Sequence, residues 1–170
     1  GAVLAVAASH AVLADYESAL EPVNGGATLI LPATVALLPL LPEGDGAQLL
    51  VHVCSGGMTS VVVADHRICS WRTRELAGAV PEEWHAEVAA EAARILASAR
   101  DHLKVEVEGA WLCARPPAAA ELLAALARVT ACEVEVLTPA SELTGALSPE
   151  ERSLFEHFGA PVAGLVANAG

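Results

Sequence analysis

The 170-residue chain is long enough for one sizeable domain, or one domain with part of another, and its 54% apolar content supplies a substantial core. Aromatics make up only 4%, and alanine dominates the apolar fraction, which favours an α/β architecture with helices packed closely on a sheet over an aromatic-rich β-sandwich. A net charge of −12, with nine Lys and Arg against 21 Asp and Glu, argues against a nucleic-acid partner and suits cationic peptides or a basic partner surface better.

In chain order, "AVLAVA" at residues 2–7 reads as a short buried strand, and Ser9 caps a helix whose inward positions are Leu13, Tyr16 and Leu20. "EPVNGG" is a loop, "TLIL" a second strand, and "PATVALLPLL" a helix with Pro32 in its first turn. The longest apolar run, "ATLILPATVALLPLLP", holds three prolines and is too short and interrupted to read as a membrane span. The opening lacks a basic n-region and a starting methionine, so it does not read as a signal peptide, and further sequence is expected before Gly1.

"PEGDG", Pro42 to Gly46, has the densest turn composition and sets the expected boundary between a partial β-α-β-α unit at 1–46 and a domain at 47–170. Leu49 to Cys54, Thr59 to Ala64 and Arg67 to Arg74 read as three strands joined by short turns, an antiparallel meander. From Pro81 to Leu103 the period changes to 3.6, with Trp84, Val88, Ala92, Ile95, Ala99 and Leu103 on one stripe and Glu82, Glu83, Glu87 and Glu91 mainly off it. A strand at Val107 to Cys113, a helix near Pro117 to Val129, and a strand at Glu133 to Leu137 follow. A last helical region starts at Ser148-Pro149 and breaks near Gly159 to Pro161, giving β-β-β-α-β-α-β-α after Gly46.

Ser55, Gly56, Gly57 and Thr59 form the candidate phosphate-binding turn, since glycines allow backbone N–H groups to converge on an anion. A plain hairpin needs the same residues for its backbone angles, and the absence of a nearby Lys or carboxylate favours the hairpin. His52 and Cys54 share one strand face, but no orienting acid completes a nucleophile, so no catalytic residue is assigned. Glu83, His85 and Glu87 point to different helix faces and read as a solvated helix start. Cys54, Cys69, Cys113 and Cys132 show no ligand spacing, so no metal site is expected and a reducing compartment is. Arg72 and Arg74 lie on one strand face, where pairing with the chain's own carboxylates or a solvated position guarding a strand edge is preferred over an acidic partner. Trp71, Trp84 and Trp111 are assigned to core packing.

The order of elements matches the ribonuclease H-like unit of the actin-like ATPase superfamily, a mixed five-stranded sheet with flanking helices. Within it, "VLAVAASHAVLADYESALE", "LLVHVCSGGMTSVVVADHRICSWRTREL", "EVAAEAARILASAR", "AAAELLAALARVTACEVEVLTPASEL" and "GAPVAGLVANAG" resemble, in order, the PilM family of type IV pilus assembly proteins. The cytoplasmic domain of the type II secretion L protein is a more distant resemblance. The resemblance implies a cytoplasmic scaffold at the bacterial inner membrane that docks an inner-membrane pilus or secretion protein. It also implies that residues 1–46 are the tail of a preceding lobe.

The pattern departs from related ATPases where their acidic residue falls on Val53 or His52, and where Arg115, Pro116 and Pro117 replace a Gly-Gly turn. No cofactor is therefore expected for this chain, ATP being left to a full-length protein. The alternative is one lobe of an actin-like ATPase or sugar-kinase-like phosphotransferase. Self-association through sheet edges or an apolar patch is also expected.

Overall fold

A computed structural model of the chain describes residues 5, 7–24, 29–44, 46–54, 56–77, 83–114, 119–138 and 147–167. Residues 2–4 and 6 of the predicted first strand, and Arg115, Pro116 and Pro117, lie outside the described residues. Two compact units are present, Gly1–Ala33 and Thr34–Gly170.

In the first unit, α1 (His10–Asn24) starts where expected, with the Ser9 hydroxyl 3.5 Å from the Val12 amide. Leu13 is half-buried, but Tyr16 and Leu20 are exposed, so the expected inward stripe is only partly used. Residues 29–31, read above as a strand, are irregular and carry exposed Leu29, Ile30 and Leu31. An apolar run is compatible with a strand but does not itself supply a pairing partner.

The second unit is built on five strands. They are β1 (Ala47–Cys54), β2 (Gly57–Ala64), β3 (Arg67–Glu75), β4 (Val107–Ala114) and β5 (Val134–Val136). Their order is β3-β2-β1-β4-β5, antiparallel between the first three and parallel from β1 to β4 and β4 to β5. This is the mixed five-stranded sheet expected from the sequence. β1 is central, which explains why "LLVHV" is apolar almost without alternation: it is covered on both faces.

Leu49, Val51 and Val53 face α3 (His85–Ser98) and α4 (Ala119–Ala127), whose Val88, Ala92, Ile95, Leu122 and Leu126 are fully buried against them. Leu50 faces the other way, toward Leu37 of α2 (Ala33–Leu37) and Ala160 of α6 (Ala160–Ala167). Because Leu37 is fully buried in this second cluster, α2 belongs with the sheet, and the division between units lies upstream of the Pro42–Gly46 turn. Gly164 of α6 is buried directly against the Ala36 carbonyl of α2.

The helix expected over Pro81 to Leu103 is regular only from His85, with Trp84 in the N-cap position and packed against the core. It ends in a π-helical turn, Ala99–Leu103, followed by Lys104 at φ 59°. The widened turn breaks the 3.6 phase, and Leu103 is 40% exposed instead of continuing the stripe. α5 (Pro149–Phe158) begins at the predicted place, where Ser148 and Glu151 form a reciprocal capping box, and stops at Gly159.

The β2–β3 turn places Asp65 and His66 at φ 50° and 57°, a two-residue connection with both centres left-handed. A side chain there costs energy that glycine avoids, and asparagine tolerates the angle better than most residues. The double substitution Asp65→Asn/His66→Gly is expected to stabilise the chain by about 1 kcal/mol. Urea unfolding checks this as a raised midpoint with an unchanged slope.

Candidate functional site

The candidate turn closes at the Cys54–Gly57 pair, leaving Ser55 and Gly56 between β1 and β2. Ser55 lies outside the described residues. Gly56 has φ +79°, which an L side chain rarely adopts, and open space surrounds the point where a Cβ would sit. Its glycine is thus accounted for by backbone angle and not by close approach of another group. The Gly56 carbonyl accepts a hydrogen bond from the Leu76 N–H at 2.7 Å, which ties this turn to the residue just after β3. Gly57 pairs with Glu75, and the Thr59 hydroxyl lies 3.2 Å from that of Thr73, which also accepts from the Trp71 indole at 3.2 Å.

The two β1 positions where a metal-binding carboxylate was sought are both buried. Val53 joins the apolar core facing α3. His52 is 7% exposed on the opposite face, with its Nδ1 2.8 Å from the Thr34 hydroxyl at the start of α2. That buried hydrogen bond occupies the β1 position where an ion-binding site would need a carboxylate.

Cys54 and Cys113 both lie on the His52 side of the sheet, and all four cysteines are half-buried free thiols. Burial, reinforced by the neighbouring Cys54, pushes the Cys113 thiol up to about 11. Burial also raises Cys132, partly offset by a backbone hydrogen bond. Since the thiolate is the reacting form, Cys113 is expected to stay unmodified when the native protein meets iodoacetamide at pH 7.5. Peptide mapping that finds it labelled as fast as it is in urea would contradict this assignment. Among the described residues no group of three or more His, Cys, Asp or Glu is placed to hold a metal ion.

The most strongly charged construction lies one strand pair away. Glu91 of α3 is 2% exposed, and its carboxylate meets three guanidinium groups. Arg72 Nε stands 2.8 Å away, Arg74 Nη1 3.4 Å and Arg94 Nη1 2.7 Å. The strand register produces the first two contacts: Arg72 and Arg74 alternate on the β3 face that α3 covers, opposite Ser60 and Met58 of β2. Arg94 arrives from the same helix, three residues on.

Burial alone would raise the Glu91 carboxyl, but the Arg94 hydrogen bond and the charges of Arg72 and Arg94, with Arg74 adding a weaker bond, outweigh it and hold the group below its ordinary value of 4.5. Arg72 and Arg74 therefore pair internally, whereas Glu91, read as lying mainly off the helix stripe, is buried on it. The signal was available: Glu91 follows Val88 by three positions and precedes Ile95 by four, which puts it on the buried stripe.

A recess of about 310 Å³ lies elsewhere, between the π-helical turn and the loop before β5, lined by Leu96, Ala97, Arg100, Val107, Val129 and Cys132 among others. No described helix is long and apolar enough to cross a membrane.

No protein-family model and no curated protein matches the sequence. Among solved structures, the chain is similar to PilM in a PilM-PilN type IV pilus biogenesis complex, with a TM-score of 0.53 at 15% identity. That likeness covers 84% of this chain and 54% of the other, so the chain spans about half the length of that protein. A Bacteroides thetaiotaomicron protein of actin-like ATPase fold and unknown function matches at TM-score 0.41 and 10% identity, over 71% of this chain and 40% of its own. Thermus thermophilus RuvC matches at 0.43 and 12%, over 72% of this chain and 92% of its own. With its 3-2-1-4-5 strand order and helices on both sheet faces, the chain has the ribonuclease H-like fold that underlies the actin-like proteins.

Proposed function

We propose that this chain is the docking lobe of a cytoplasmic actin-like scaffold, attached to an inner-membrane protein of a type IV pilus or type II secretion platform, and that it turns over no nucleotide. The observation that carries the reading is the buried Thr34–His52 hydrogen bond on β1, at the position where a phosphate-handling lobe would need a carboxylate. Gly56, Gly57 and Thr59, with Ser55, then form a vestigial phosphate hairpin that now reverses the chain. The likeness to PilM supports the choice of system, because that protein is part of a complex with PilN.

Titration of the full-length protein with Mg-ATP, and separately with peptides copied from the N-terminal segments of inner-membrane assembly proteins, tests the proposal. Peptide binding without nucleotide binding is the expected result. Tight Mg-ATP binding dependent on Thr59 would establish the ATPase lobe instead.

A further inference from the structure

We propose that the free edge of β3, from Ser70 to Glu75, is a docking surface for an extended segment of a partner protein that carries acidic side chains at alternate positions. The inference rests on the docking reading above and supplies the place and chemistry of attachment.

Among the described residues β3 is the outermost strand, and at nine residues it is three times the length of β5 at the opposite edge. One extra residue at Cys69 interrupts its pairing with β2, leaving Ser70 to Glu75 as an uninterrupted stretch. The backbone N–H and C=O groups of such a strand that face away from its neighbour are ready to pair with another chain.

Natural proteins defend long edges with mobile charged side chains. Arg72 and Arg74 are not deployed that way. Both are drawn onto Glu91, at 2.8 and 3.4 Å, on the sheet face that α3 covers, and among the described residues no strand pairs with the outer edge of β3.

The cluster also carries more charge than its anchor needs. Three guanidinium groups on one carboxylate leave a surplus of two positive charges, in a chain whose total is −12. The side chains of Arg72, Arg74 and Arg94 are 48%, 48% and 54% exposed, so donors not used on Glu91 remain accessible. A strand laid beside β3 presents alternate residues to the face where Arg72 and Arg74 stand, and opposite charges there are mutually favourable. Glu87 is engaged with the Ala77 N–H at 3.2 Å, and Glu75 ends the basic stretch, which fixes how far an acidic partner can extend.

Charge also decides between occupants. A second copy pairing through its own β3 would bring another Arg72 and Arg74 against these, and like charges repel. An acidic strand from a different protein meets no such penalty.

The test uses the whole chain and a synthetic peptide of alternating Glu and Val, with a Lys-Val peptide and a Glu-Val peptide N-methylated at alternate residues as controls. The Glu-Val peptide is expected to slow amide exchange within Ser70–Glu75 and to bind more weakly as salt rises. The triple variant Arg72→Gln/Arg74→Gln/Glu91→Gln, which leaves no buried carboxylate unpaired, is expected to bind it about tenfold more weakly while melting cooperatively. Equal binding of the Lys-Val peptide, or of the N-methylated one, would overturn the proposal. So would protection of Ser70–Glu75 that grows with protein concentration in the absence of peptide, which would mark a second copy as the occupant. If inner-membrane protein peptides bind the triple variant as well as the natural chain, this edge is excluded and the docking reading stands. If they bind neither form while the Glu-Val peptide still protects β3, the docking reading fails and the edge stands.

Discussion

Replacing Gly164 by alanine is expected to lower the stability of the chain by about 3 kcal/mol or more, because the added Cβ would overlap the Ala36 carbonyl oxygen. The obstacle is backbone on both sides, so no side-chain rotation relieves it. Either α6 must lift off α2 or the Ala36 peptide must rotate, and each movement disturbs the cluster of Leu37, Leu50, Val61, Leu137 and Ala160. A typical domain has only about 5–15 kcal/mol in hand. Thermal melts should therefore show Gly164→Ala with a markedly lower midpoint, while Gly56→Ala, limited by its φ and not by space, should cost about 1–2 kcal/mol. Equal midpoints for natural chain and Gly164→Ala would show that the two helices do not pack as described.

The second large effect concerns the Glu91 cluster, and its direction depends on which partner is removed. Changing Arg72, Arg74 and Arg94 together to Gln strands a carboxylate that is 2% exposed, a loss expected to cost about 3–5 kcal/mol. Changing Glu91 to Gln leaves only half-exposed arginines, which can turn to water, and is expected to cost about 1–2 kcal/mol. The order of the two losses is the diagnostic result; the reverse order would mean the carboxylate is not the buried member.

Acid provides an independent check on the same group. The Glu91 carboxyl is depressed below 4.5, so its contribution is fully present above that value and is lost as pH falls through the lower, folded-state pKa. The natural chain should lose stability over that acid range more steeply than Glu91→Gln, with the two curves converging at the acid end. Urea midpoints measured from neutral pH down into the acid range below about pH 4 would read the difference directly.

The location of this cluster links the proposed docking edge to the stability of β3. Arg72 and Arg74 hold β3 to α3 through Glu91, and the same guanidinium groups carry the surplus charge offered at the sheet edge. A partner that neutralises them adds favourable interactions to a strand that has a sheet neighbour on one side only. Exchange protection in β3 should then rise further on binding than protection in β1, which is already covered on both faces.

Local chemistry written in the sequence was enough to place most elements of the second unit. Strand-like runs between short turns gave β1 to β3, the Ser148-Pro149 pair announced α5, and the break near Gly159 its end. The order of strands and helices indicated the ribonuclease H-like arrangement, while the burial of "LLVHV" on both faces came only with the central place of β1 in the sheet. These signals are legible because turns, caps and periodicity depend on residues within a few positions of one another.

Other features depended on partners distant in the chain. That Leu37 joins the sheet, that Gly164 must lack a side chain, and that residues 29–31 form no strand follow from packing between segments far apart in sequence. Glu91 shows the division most clearly: read from the sequence as lying mainly off the stripe, it is buried on it, and a charge is tolerable there only because β3 pairs with β2 in the register that brings Arg72 and Arg74 beneath α3. Burying a carboxylate is unfavourable by itself and acceptable once cations meet it, and only the folded sheet determines which cations arrive.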